Sequence, residues 1–202
     1  MSAGPQAAEA KPLRARNSAA TRARIETEAL RLFAEKGVDG ATIRDISQAV
    51  GVADAALYRY YPSKEDIARD IFRRHYAALA KAIRNVGALG LPFRQTVGAL
   101  VDLFCDLFDG EPNVFAFILL NQHAHLRYVD KDGNAVEELR AIMRAAHERG
   151  ETSIAESDLA AAVALGAVLQ PAVFKLYGRL PGPLRDRAAV LAVAAAAAVG
   201  AR

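Results

Sequence analysis

Between Thr42 and Lys64 lie side chains whose types suit contact with a phosphate backbone and with base edges. The segment Asp54-Ala55-Ala56-Leu57-Tyr58-Arg59-Tyr60-Tyr61 reads as a short helix. Leu57 and Tyr61, four apart, share one face of it and point towards a core with Val52. Ala55, Ala56, Tyr58, Arg59 and Tyr60 are left on or near the outer side. Small side chains permit close approach to a duplex, a tyrosine hydroxyl donates to phosphate oxygen, and an arginine reaches phosphate or a guanine edge. The alternative for Tyr58 and Tyr60 is packing on neighbouring helices, and one of the two is expected to be partly structural. Lys64 stands in the first turn of the next helix, where free backbone N–H groups favour an anion, and reads as a phosphate clamp. Arg44 can reach backbone or base. Thr42 divides its hydroxyl between capping and phosphate, with capping the surer role. Asp54 stays open between capping the recognition helix, a position Asp favours, and accepting from cytosine N4.

These residues need rigid, short elements to hold them, and the apolar spacing supplies helices. Nearly every long segment has the helical period, so the fold class is all-α. A first helix over 18–36 puts Ile25, Ala29, Leu32 and Phe33 on one face and stops at Gly37. Thr42 with Asp45 forms a capping box for a second helix that ends at Gly51. A third, of about two turns over 54–60, follows at once, and two short helices joined by a glycine turn on a longer one form a helix-turn-helix. Ser63 caps a long fourth helix with Asp66 at its third position. Later helices are expected over 92–108, 113–127, 135–149, 157–179 and 184–200. The organisation is a flexible basic arm over 1–17, a three-helix head over 18–63, and a larger helical body over 64–202.

Charge follows the same division. The chain of 202 residues carries a formal +3, with ten Lys/Arg against seven Asp/Glu up to residue 64 and sixteen of each beyond it. Lys11, Arg14, Arg16, Arg22 and Arg24 form a run with no acidic residue between them. Such a run is a solvated tail or a basic arm preceding a DNA-binding domain. A body of balanced charge and a basic head point to salt-dependent association with nucleic acid.

Thr42-Ile43-Arg44-Asp45-Ile46 through Gly51-Val52, then Leu57-Tyr58-Arg59-Tyr60-Tyr61-Pro62-Ser63-Lys64-Glu65, resembles the N-terminal domain of TetR-family transcriptional regulators. The likeness covers about residues 20–68. It implies a homodimeric bacterial repressor whose short helices read a pseudo-palindromic double-stranded operator and whose body binds a small-molecule inducer. Position by position it implies Thr42, Arg44, Asp54, Ala55, Ala56, Tyr58, Tyr60 and Lys64 as DNA-facing. Ala53 and Ala56 depart from the Ser and the Gly or Thr common in the family, which favours Asp54 as the cap.

In the body, bulky apolar side chains accompany a few polar ones at Phe104, Cys105, Phe108, Phe115, Ile118, Gln122, Met143, His147, Gln170, Phe174 and Tyr177. That is the make-up of a ligand pocket and equally of a helical core. Leu159, Val163, Gly166 and Val173, and Val190, Ala194 and Ala197, belong to two helices apolar nearly all round. Both read as buried, in a monomer core or in a four-helix interface across a twofold axis. Pro171 is expected to kink the first. Both are shorter in uncharged length than the ~18 apolar residues of a membrane span. One cysteine and an N-terminus without an apolar signal core point to the cytoplasm. His123 and His125 lie on different faces of a helix, and Asp130-Lys131-Asp132-Gly133-Asn134 reads as a turn with Asn134 capping the next helix. No metal, cofactor or enzymatic activity is expected, since neither a nucleophile elbow nor a phosphate-cradling loop is present.

Overall fold

A computed structural model describes residues 10–125, 129 and 133–202, and among these every regular element is helical. The chain divides into two compact units, Met1–Ile71 and Phe72–Arg202.

In the head unit, α1 spans Ala10–Gly40 and breaks at Gly37, whose φ of 74° lies in the left-handed region. The stretch expected to be a flexible arm is thus helical from residue 10 onward, and the helix begins well before 18. The second helix, α2, covers Ile43–Val50. Its capping box closes as the spacing predicts: the Asp45 N–H donates to Thr42 Oγ1 at 3.0 Å and the Thr42 N–H donates to Asp45 Oδ2 at 2.9 Å. The Thr42 hydroxyl, which donates to Asp45 Oδ2 at 2.9 Å, and then the Thr42 N–H hold the Asp45 carboxyl below the usual carboxylate range. Gly51, at φ 74° and ψ 40°, turns the chain into α3 (Asp54–Leu57). That helix is a single turn followed by further turns through Tyr60, shorter than the two turns expected. Ile25, Ala29, Leu32, Phe33, Ile46, Val50, Leu57, Tyr61, Ile67 and Ile71 are all buried. Leu57 and Tyr61 therefore face inward as their four-residue spacing requires. Helix α4 runs Lys64–Gly87, with the Asp66 N–H donating to Ser63 Oγ at 3.1 Å. The boundary between the units falls inside α4.

The body unit continues with α5 (Phe93–Gly110), α6 (Pro112–His125), α7 (Ala135–Glu148), α8 (Ser157–Leu176), a 3-10 turn at Arg185–Arg187 and α9 (Ala188–Ala198). Asn134 caps α7 through an Oδ1 that accepts from the Val136 N–H at 2.9 Å. Helix α5 packs on α9, and α8 on both α7 and α9. Their shared core includes Phe93, Val97, Val101, Cys105, Phe108, Met143, Leu184 and Leu191. Asp109 accepts from the backbone N–H groups of Leu184 and Arg185 at 2.9 and 2.8 Å, fixing the start of the last helical segment to α5.

Helix α8 runs through Pro171 as one helix. Within the single chain neither α8 nor α9 is buried on most sides: Leu159 is 50% exposed, Phe174 48% and Val190 72%. The buried stripe of α8 is built instead of Ala160, Ala161, Ala164, Val168 and Ala172. Among the described residues α8 is also the one helix long and apolar enough, by length and composition, to cross a membrane.

Candidate functional site

The outer surface of the helix-turn-helix is made by residues that the core leaves out. With Leu57 and Tyr61 anchored inward, Ala55, Tyr58 and Arg59 are exposed, while Ala56 and Tyr60 are half-buried. Tyr58 is 54% exposed, and Tyr60 is the more buried of the pair. Arg44 is exposed on the first turn of α2. Thr42 is exposed but its hydroxyl is committed to Asp45.

Two residues take roles other than those expected. The N-cap of α3 is Ala53, with no side-chain cap, and Asp54 sits one position inside the helix. Its carboxylate accepts from the hydroxyl of buried Ser47, across the turn between the two short helices. Asp54 is thus a tie between α2 and α3 instead of a cap, and a carboxylate held this way can keep α3 at a fixed angle. Lys64 does not offer its ammonium to an anion. Its Nζ donates to the carbonyls of Val38 at 2.8 Å, Asp39 at 3.0 Å and Ala41 at 2.8 Å, closing the chain that links α1 to α2. An ammonium has three donors, and all three are used.

Further ties that sequence reasoning missed fix the same head. Arg24 donates to the Val50 carbonyl at the end of α2. Arg22 donates to the Tyr61 hydroxyl at 3.0 Å, to Glu26 at 3.2 Å and to Asp70 at 2.8 Å, with its guanidinium 5.0 Å from the Tyr61 ring centre. The Tyr61 hydroxyl donates to buried Glu26. Burial and the Glu26 carboxylate push the Tyr61 phenol up to about 12. Two members of the basic run, Arg22 and Arg24, therefore staple the head internally. Their signal in the sequence was charge alone, and charge does not name a partner 26 to 48 residues away.

The body unit contains a cavity of about 120 Å³. Phe104, Phe115, Ile118 and Met143, named above as pocket residues, line it. Cys105 and Phe108 lie in the core beside it, where burial pushes the Cys105 thiol up to about 11. Gln170 and Phe174 are exposed on α8, Tyr177 is exposed just beyond its end, and His147 is exposed on α7. The side chains of Gln122, His123 and His125 fall outside those described, as do residues 130–132 of the expected turn. The wall also draws on α4, α5, α7 and α8 through Tyr76, Leu79, Ile83, Leu100, Leu139 and Val168, which the sequence did not distinguish from ordinary core.

A one-turn element, set by a left-handed glycine turn onto a stapled three-helix head, has the geometry of a helix-turn-helix, and the body unit holds an apolar cavity. Residues 25–71 match the family described as bacterial regulatory proteins, tetR family. The repressor KstR2 of Rhodococcus jostii is 35% identical over 85 residues, 42% of either chain. The negative transcriptional regulator IcaR of Staphylococcus epidermidis is 48% identical over 46 residues, 23% of this chain and 25% of the relative. The chain spans less than half the length of these curated relatives. The fold of nearly the whole chain is shared with the transcriptional regulator FadR of Bacillus subtilis, solved in complex with stearoyl-CoA. The TM-score is 0.74 at 16% identity, covering 87% of this chain and 98% of that one. The family match thus covers the helix-turn-helix head, and the body shares its fold with solved regulators of the same architecture.

Proposed function

We propose that the protein is a homodimeric, ligand-responsive repressor that binds a pseudo-palindromic operator through its two heads and leaves it when a small molecule occupies the body cavity. The observation that carries this reading is the exposed set Arg44, Ala55, Tyr58 and Arg59 on a helix pair held rigid by the Ser47–Asp54 tie. The repressor relatives KstR2 and IcaR support the sign of regulation, and FadR with stearoyl-CoA supports a ligand in the body. The apolar faces of α8 and α9, on which Leu159, Gly166, Val190, Ala194 and Ala197 are exposed and Val163 and Val173 half-buried, support a twofold interface. Release requires only that the ligand prefer a dimer whose recognition elements no longer match successive major grooves, about 34 Å apart. A bacterial regulator of this kind works in the cytoplasm.

The test is fluorescence anisotropy with duplex DNA across a salt series. Binding weakens steeply with salt. Once a preferred duplex is selected, Arg44→Ala and Tyr58→Ala each lower its affinity and flatten the preference over mixed duplex, by about 1–3 kcal/mol where a base contact is lost. Affinity that ignores salt, or variants that bind like the parent chain, would refute the DNA-binding surface.

A further inference from the structure

The cavity in the body is small and chemically uniform. Its volume of about 120 Å³ is near that of an engineered apolar cavity of about 150 Å³ that stays dry and admits benzene. None of the described residues lining it is charged, and nearly all are aliphatic or phenylalanine. Tyr76 is the exception, as the lining residue with a side-chain polar group. It is buried on α4, its ring stacked on Phe72 at 5.2 Å. Its hydroxyl donates to Asn134 Oδ1 at 3.4 Å, a long bond to an oxygen already taken by the Val136 N–H. Ala135 and Val136, next to Asn134, also line the cavity, so the hydroxyl lies at that end of it.

We propose that this cavity binds a compact, uncharged and largely apolar molecule about one ring in size, whose single oxygen acceptor takes a hydrogen bond from the Tyr76 hydroxyl. The proposal deepens the regulatory reading and rests on it for the consequence at DNA. A ligand oxygen offers Tyr76 a shorter bond than the shared Asn134 oxygen does. A carboxylate in the same place meets no cation among the described lining residues and loses its hydration without replacement. A long acyl chain exceeds a space of about 120 Å³, and a coenzyme A phosphate finds no Lys or Arg among the described lining residues.

Calorimetric titration of the full chain with toluene, benzyl alcohol, benzoate and stearoyl-CoA tests this directly. Benzyl alcohol binds saturably, and benzoate and stearoyl-CoA bind at least about tenfold more weakly. Tyr76→Phe weakens benzyl alcohol by about three- to tenfold, the range of one hydrogen bond, and leaves toluene within about twofold. Ala164→Leu, which fills the cavity, abolishes both while circular dichroism shows the helices retained. Three results would overturn the proposal: tighter binding of benzoate or stearoyl-CoA than of benzyl alcohol, no binding of either neutral probe, or equal losses for both neutral probes in Tyr76→Phe. Anisotropy with mixed duplex DNA, run in parallel, separates the two readings. Salt-sensitive DNA binding with failed neutral probes removes the ligand class alone, whereas benzyl alcohol binding without DNA binding removes the regulator.

Discussion

An ammonium group has three donors, and at Lys64 the carbonyls of Val38, Asp39 and Ala41 accept all of them. A phosphate reaching Lys64 must displace bonds that close the link between α1 and α2, so the side chain acts on fold first. Lys64→Ala is expected to cost about 1–3 kcal/mol of stability, because it leaves carbonyls at the end of α1 without their charged donor. The urea midpoint falls and the salt slope of DNA binding stays where it was. A slope reduced by about one at unchanged stability would return Lys64 to the phosphate. The sequence could show that Thr42 caps α2, because its partner stands three residues on and the geometry is local. It could not show the Lys64 cradle or the Arg22–Tyr61–Glu26 cluster, because those bonds join residues far apart in the chain and depend on the packed fold.

At the level of elements, glycine and capping chemistry placed most boundaries: α2, α5, α6 and α7 begin or end within two residues of the periodic pattern. The exceptions have physical causes. Helix α3 gives way to turns through Tyr60 as the chain approaches Pro62, which disfavours helical backbone at the residue before it. Residues 10–17 extend α1 because nothing in Lys11–Arg16 breaks a helix except Pro12, which the first turn tolerates. The turn itself offers a clean test. A Cβ added at Gly51 would meet nothing within 4 Å, so the cost of Gly51→Ala is backbone strain alone at φ 74°. The expected loss is about 1–2 kcal/mol, read from chemical denaturation, and Gly51→Asn should lose less because Asn tolerates the left-handed region. A loss well above that range would mean that the turn makes contacts beyond its own dihedrals.

For the whole molecule, the apolar character of α8 and α9 was legible, but which of their faces is covered was not. A helix that is apolar nearly all round carries no stripe to orient it, so the pattern placed Gln170, Phe174 and Tyr177 in a pocket that the fold keeps on the other side of α8. Exposed Phe174 and Val190, with Leu159 and Val193, give the body an apolar surface of the kind that marks a protein interface. If that surface joins two copies, a carboxylate at its centre is buried without a partner, which costs about 3–5 kcal/mol. Phe174→Glu combined with Val190→Glu is therefore expected to raise the dimer dissociation constant by more than about a hundredfold. Sedimentation velocity should show monomer at micromolar protein, with helicity retained because neither side chain belongs to the monomer core. The salt slope of DNA binding should then fall to about half, since it counts phosphates neutralised and a lone head meets half as many. A variant that still sediments as a dimer would move the interface off α8 and α9, and the pseudo-palindromic operator would then need a different twofold axis to match.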